Sequence, residues 1–383
     1  MILKNAKIVL QDKIIENGSL LIKDNKIIKI SEKEIDANKE EVIDLKGNYL
    51  MPGFIDCHVH GGYGVDFETG DEKRFLTFSE NVIKEGITSY VQASVTNSVE
   101  DNKKYLTEFK NFKNAKNIKG AKCLGVHMEG PFISAEKKGA HDPNLLVKPN
   151  IDLIKEFIEI SNKNIKIVTY ASELQDGSFT KYLINNKIVP SVGHTNQESY
   201  ELEKDYLLGA KHVTHIFNGM SGVDHYRPGL AVSALTHKDI LVEVISDGVH
   251  LNEDILDLIY KIKGADNICI ITDSINAKGL SDGEYKIGNL EVIKKGIEVR
   301  LKSNNVLAGS GATYNHNVKF YKEKCLIPMT ELIKMTSINI AKQLNIYEKT
   351  GSIEENKIAD LVVVDKEFNV LYTFVEGKKV YER

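Results

Sequence analysis

The stretch Phe54-Ile55-Asp56-Cys57-His58-Val59-His60-Gly61 decides how the rest of the chain is read. It is a short apolar strand that runs into a glycine loop. Alternate side chains of a strand share a face, so Asp56, His58 and His60 point the same way, the two imidazoles about 7 Å apart along the strand. Two imidazoles placed so at a strand end can hold one metal ion. They can equally be a pair of satisfied core histidines, and the surrounding sequence has to choose. Alternation turns Cys57 to the other face, away from such a site.

Working outward, the residues before this stretch differ in character from those after it. Residues 1–50 carry short alternating runs at 7–10, 18–22, 26–30 and 41–44, separated by Asp-Asn and Asn-Gly turns. These predict a small antiparallel sheet. From residue 54 onward, apolar β-branched runs recur at 54–60, 87–94, 121–129, 165–171, 188–194, 212–217, 241–247 and 268–273. Helical patterns lie between them, for example at 71–85, 100–114, 150–161, 196–209 and 252–263. Eight strands, each followed by a helix, predict a closed (β/α)8 barrel, a TIM-like α/β fold. An open doubly wound sheet is the alternative, but the glycine-rich dinucleotide turn expected of it is missing.

After the eighth run the period breaks. A β insertion is expected near 283–307 and a helix near 330–344. The tail then returns to strands at 359–364 and 369–373, which should pair with the N-terminal sheet. The predicted division is therefore 1–50 plus 350–383 as a small flanking β-sandwich domain, and 51–349 as the catalytic barrel.

Bulk properties narrow the function. With 383 residues the chain can hold one large domain or two ordinary ones. A formal charge of -4 leaves no basic surface for nucleic acid. No apolar run reaches membrane-spanning length, and no secretory leader opens the chain, so no membrane partner is expected. Cys57, Cys123, Cys269 and Cys325 are widely spaced and read as reduced thiols of a cytoplasmic protein.

In barrels of this kind the chemistry sits at the C-terminal ends of the strands. His58 and His60 end the first run, His127 and Glu129 the third, His194 the fifth, His215 the sixth and Asp273 the eighth; His250 follows the seventh. That placement favours a site over scattered core residues. His127 and Glu129 share a face, and either can ligate. His212 lies an odd number of positions from His215, so it is expected to point away from the interior in a structural role. The resulting set is His58, His60, Glu129, His194 and His215 around one or two divalent ions. Zinc, iron, manganese and cobalt all suit imidazole and carboxylate donors. A metal with an open position brings the pKa of its water near neutrality. Asp273 is the natural general base, able to take that proton and return it to a leaving amine; a further metal ligand or a helix cap is the other reading of this residue.

These residues, in this order, resemble the amidohydrolase superfamily and, within it, the family of N-acetylglucosamine-6-phosphate deacetylases. The resemblance is carried by residues 52–62 around the HxH pair, His127-Met128-Glu129-Gly130-Pro131-Phe132 and Lys138-Gly139-Ala140-His141-Asp142-Pro143. It continues in Val192-Gly193-His194-Thr195, Thr214-His215-Ile216-Phe217-Asn218-Gly219-Met220, Arg227-Pro228-Gly229, Asp247-Gly248-Val249-His250, Thr272-Asp273 and Leu307-Ala308-Gly309-Ser310. It spans the whole chain. HxH alone is common to the superfamily; the Glu-Gly-Pro-Phe and Phe-Asn-Gly-Met runs are far more specific.

The resemblance implies Glu129, His194 and His215 as principal ligands, with His58 and His60 permitting a second ion bridged by Glu129. It implies Asp273 as catalytic acid and base. His141 would contact the sugar and polarise the acetyl carbonyl. Ala140, Asn218, Gly219, Arg227, His250, Leu307, Ala308 and Gly309 would bind substrate. Gly219 replaces the usual alanine, which should preserve a backbone contact. The matching arginine of the family comes from a neighbouring subunit, so a homodimer is also implied. The expected reaction is deacetylation of N-acetyl-D-glucosamine 6-phosphate in amino-sugar metabolism. The alternatives are N-acetylgalactosamine 6-phosphate, another small amide, or a non-catalytic binding protein.

Overall fold

The computed structural model describes residues 1–37, 40–115 and 119–383. Its centre is a parallel barrel of Phe54–Val59, Ile87–Ala93, Lys122–Glu129, Ile165–Tyr170, Val189–Val192, His212–Val213, Leu241–Ile245 and Ile268–Ile271, paired in chain order. The eighth strand returns to the first, where Asp273 N donates to His58 O at 2.9 Å and Thr272 Oγ1 donates to Asp56. Every barrel strand is followed in the chain by a helix, from Glu72–Val82 to Tyr314–Lys324. Several helix starts are set locally: the side chains of Asp71, Ser98, Asn150 and Asn252 each accept a backbone N–H of the first turn.

The strands are buried on both faces and therefore read as continuous apolar runs rather than alternating ones. Outward side chains such as Phe54, Val126, Val168 and Val244 join the helices in the main core. Inward ones, including Ile55, Cys57, Val91, Ile167, Leu241, Cys269 and Ile271, fill the lower barrel with Ile340 and Ala341 from the last helical segment. The upper barrel is left to polar residues.

The chain ends meet in one sheet. Leu361–Val364 lies antiparallel to Tyr49–Pro52, with Leu361 opposite Pro52 and Val364 opposite Tyr49. Ile2–Val9, Ile14–Lys23 and Lys26–Ser31 extend it on one side, and Val370–Val375 and Lys378–Glu382 on the other. Alternation divides its side chains. Leu3, Leu20, Leu50, Leu361, Val363 and Phe374 make a core of their own, whereas Met51, Val362 and Val364 pack onto the barrel. The flanking domain is thereby attached by apolar contact, not by a linker alone.

Several expectations need correcting. The sixth strand is only His212–Val213, because His215 (φ 23°) and Phe217 (φ 73°) adopt left-handed backbone that cannot continue a ladder. The helix expected at 196–209 shrinks to a 3-10 turn, Ser199–Glu201, and Leu202–Leu207. The insertion is a four-stranded antiparallel sheet that continues to Ser310, and the helix near 330–344 carries a π segment at Lys334–Ile338. The last strand, Lys378–Glu382, was not foreseen; its charged, half-exposed residues give an edge strand no apolar signature.

Candidate metal and catalytic site

The polar residues converge at the C-terminal mouth of the barrel. Glu129 sits at the centre. Its Oε1 is 2.8 Å from His215 Nε2, 3.2 Å from His194 Nε2 and 3.4 Å from His58 Nε2. Its Oε2 is 3.3 Å from His60 Nε2 and 3.4 Å from His141 Nε2. Asp273 Oδ1 closes the ring at 3.0 Å from His60 Nε2. His194 (φ 45°), His215 and Asp273 (φ 50°) all hold left-handed backbone, which costs non-glycine residues energy. Their strands have ended, and this turn aims each side chain inward over the barrel axis.

The arrangement suits divalent ions. Ring nitrogens of His58 and His60 face each other at 3.2 Å, and those of His194 and His215 at 3.1 Å. An ion about 2.1 Å from each ligand would separate neighbouring donors by about 3.4 Å. The second ring nitrogens of His60 and His215 are buried without a hydrogen-bond partner, so the ring's polar business lies at Nε2. His194 is held by the carbonyl of Lys137, which accepts from Nδ1 at 2.7 Å.

Of the two residues ending the third strand, Glu129 reaches the site and His127 does not. His127 Nδ1 donates to the carbonyl of Cys57, and its Nε2 accepts from Thr169 Oγ1 at 2.7 Å. Burial pushes its pKa down to about 3, with His58 beside it adding to the effect, so it is a neutral core imidazole.

His141 has a defined tautomer. The backbone N–H of Thr96 donates to its Nδ1 at 3.1 Å, so the ring proton of the neutral form lies on Nε2, the atom facing Glu129. Burial lowers the His141 pKa to about 4, outweighing the hydrogen bond to Glu129, and keeps it a neutral donor. Burial would raise the Asp273 carboxyl, but the hydrogen bond from His60 and the charges of His58 and His60 hold it below the usual value.

The cavity above the ring is walled by Ala140, Asn218, Gly219, His250, Leu307, Ala308 and Gly309, all expected. His250 Nδ1 contacts Asp247 Oδ2 at 2.8 Å, and Ser310 Oγ donates to the same oxygen. Burial works against charge on His250, but Asp247 outweighs it and raises the pKa, favouring the imidazolium. His58 is fully buried below the cavity. Arg227 lies outside it, on the exposed loop 221–228. Val95, Gly139, Ile275, Ile287 and Val306 also line it and were not foreseen; Ile287 and Val306 come from the insertion, whose place over the barrel mouth no local pattern reveals.

Two expectations fail here. His212 does not point away from the interior: its Nε2 lies 3.0 Å from Glu243 Oε1 inside the barrel. Alternation counted along 212–215 assumed a strand that stops at Val213. Cys57 also faces inward, 3.6 Å from Cys269 Sγ, because the first strand shifts register between Asp56 and Val59. Its thiol is neutral, pushed up by burial and by Cys269, and stands apart from the ring of ligands. Glu243 was overlooked altogether. The signal was present, a lone carboxylate inside Leu241-Val242-Glu243-Val244-Ile245.

A barrel with clustered histidines and a carboxylate at its mouth defines a class. Residues 49–380 match the amidohydrolase family model, and the chain belongs to the amidohydrolase family, which is metal-dependent. Within it, the chain is 34% identical to N-acetylglucosamine-6-phosphate deacetylase of Bacillus subtilis, over 98% of this chain and 96% of that one. The solved structure of N-acetylglucosamine-6-phosphate deacetylase from Thermotoga maritima is 33% identical and superposes with a TM-score of 0.90, covering 100% of both chains. That of a mutant N-acetyl-D-glucosamine-6-phosphate deacetylase from Mycobacterium smegmatis, in complex with N-acetyl-D-glucosamine-6-phosphate, is 27% identical, with a TM-score of 0.93 over 99% of both chains.

Proposed function

We propose that this chain hydrolyses N-acetyl-D-glucosamine 6-phosphate to D-glucosamine 6-phosphate and acetate. The observation that carries the reading is the ring of His58, His60, Glu129, His194, His215 and Asp273 under a cavity into which His141 presents a neutral N–H donor.

In this reading Glu129, His194 and His215 would hold one divalent ion, and His58 and His60, sharing Glu129, would hold a second. Zinc, iron, manganese and cobalt all fit these donors. A bound ion would supply Lewis acidity there, to the acetamide carbonyl and to a water that could then ionise near neutral pH. His141 Nε2–H donates to the carbonyl oxygen as negative charge builds there. Asp273 accepts a proton from the attacking water. It then delivers that proton to the sugar nitrogen as the C–N bond breaks, so the nitrogen leaves as the neutral amine and water's oxygen leaves in acetic acid, whose remaining proton then passes to the amine or to solvent to give acetate.

His250, braced by Asp247, which favours its charged form, and the Asn218-Gly219 segment form the phosphate end. Arg227 is too exposed to serve its own cavity. We assign it to the cavity of a second copy, the loop bearing Val223 (66% exposed) and Tyr226 (84% exposed) forming part of a homodimer contact. We place the chemistry in residues 51–349 and a bracing role in 1–50 with 350–383. The free thiols suit the cytoplasm. Among the described residues, no helix is long and apolar enough to cross a membrane.

The test is acetate release by metal-replete protein from N-acetylglucosamine 6-phosphate, its 4-epimer and unphosphorylated N-acetylglucosamine. Release from the phosphorylated glucosamine far above the other two is expected. Faster release from the 4-epimer would move the assignment to galactosamine, and equal release with and without phosphate would remove the phosphate site.

A further inference from the structure

Glu243 lies in the middle of the seventh barrel strand, between apolar neighbours, and is completely buried. A carboxylate there is costly unless its oxygens are satisfied. They are: Oε2 takes His58 Nδ1 at 2.8 Å and the backbone N–H of His215 at 3.2 Å, and Oε1 takes His212 Nε2 at 3.0 Å. In the strand's own ladder Glu243 pairs with Cys269.

The four candidate ligand imidazoles around Glu129, those of His58, His60, His194 and His215, are supported unequally. His60 and His215 have no partner at Nδ1, and His194 has a neutral carbonyl. Among the described residues, His58 alone of the four is backed at Nδ1 by a carboxylate, which reaches it across the barrel from the seventh strand to the first. A carboxylate oxygen only accepts, so the ring proton of His58 is kept at Nδ1. Nε2 then presents its lone pair towards His60 Nε2 at 3.2 Å and Glu129 Oε1 at 3.4 Å.

We infer that Glu243 is a positioning residue that makes the His58–His60 half of the ring a binding place for its own ion, acting through His58 Nδ1. The inference rests on the two-ion reading above. A carboxylate behind a metal-binding imidazole fixes its orientation and raises its basicity, and loss of such support costs about 10–100-fold in metal affinity. The bond to His215 N differs in kind: it steadies backbone, and any carbonyl oxygen at that place can accept it.

The experiment titrates zinc into the metal-free full-length chain, wild type beside Glu243→Gln. Stoichiometry is read by elemental analysis and affinity by competition with a chromophoric chelator. Wild type should take up two ions. In Glu243→Gln the amide carbonyl still accepts from His215 N but carries no charge for His58. The first ion should therefore bind within about twofold of wild type and the second at least tenfold more weakly. That split is the readout a merely structural role would not produce. Equal affinity for the second ion in both proteins, or equal weakening of both ions, would overturn the inference. A wild type that takes up a single ion would overturn the two-ion reading itself. Should Glu243→Gln not fold, Glu243→Asp retracts the carboxylate by about 1.5 Å and is read by the same criteria.

Discussion

Asp273 stands between two tasks. Its Oδ1 is 3.0 Å from His60 Nε2 and 3.7 Å from His58 Nε2, so it borders the ring, while its carboxyl also lines the cavity. A residue that faces both ligands and substrate space can move a proton between water and a leaving nitrogen. Asp273→Asn should therefore keep its zinc content and bind substrate, while kcat falls about 10²–10⁴-fold. Zinc analysis with steady-state kinetics checks this; near-normal turnover would remove Asp273 from the proton path. At this scale the site was largely legible in sequence, because ligand types at strand ends carry chemistry whatever their neighbours do. The supporting residues were harder to see. Thr96, which sets the tautomer of His141, lies 45 positions from it, and nothing in either segment announces the contact.

Among the elements, the joint between the barrel's ends depends on a buried ion pair. Lys278, just after the eighth strand, meets Glu85, the last residue of the 3-10 turn Ile83–Glu85 that follows the first helix, at 2.9 Å, both nearly inaccessible. Glu85 also accepts from Tyr63 Oη and from the backbone N–H of Tyr314 at the start of the last barrel helix. Removing one partner strands a charge in the core. Lys278→Met should cost about 3–5 kcal/mol in chemical unfolding, and the double variant Lys278→Met with Glu85→Met should regain much of it. Equal losses in single and double variants would show that the pair's charges are not what matters. Element identities were mostly readable, since long apolar runs alternated with amphipathic ones. Element ends were not. The sixth strand stops at Val213 because the backbone turns left-handed to aim His215, a demand of the site that no propensity encodes.

At the scale of the whole molecule, no arginine lines the cavity among the described residues of a single chain, and loop 221–228 presents Arg227 beside Val223 and Tyr226 on the surface. A homodimer that inserts this loop into the partner's cavity explains both facts. Tyr226→Glu should shift the chain from dimer to monomer in sedimentation and raise KM for the phosphorylated sugar at least tenfold. Arg227→Ala should raise KM likewise while the dimer persists. A wild-type monomer with full activity would end this proposal.

Taken by itself, the amino-acid sequence determined the eight-fold repeat, the pairing of the chain ends into one sheet, and the residue types at the strand ends. All three are written in local pattern, and local pattern is what burial on one face or two imposes. The tertiary structure decided which of His127 and Glu129 enters the site, that His212 and Cys57 turn inward, and that Glu243 crosses the barrel to His58. Those outcomes depend on where strands stop and where register slips. Both are settled by contacts between residues far apart in the chain.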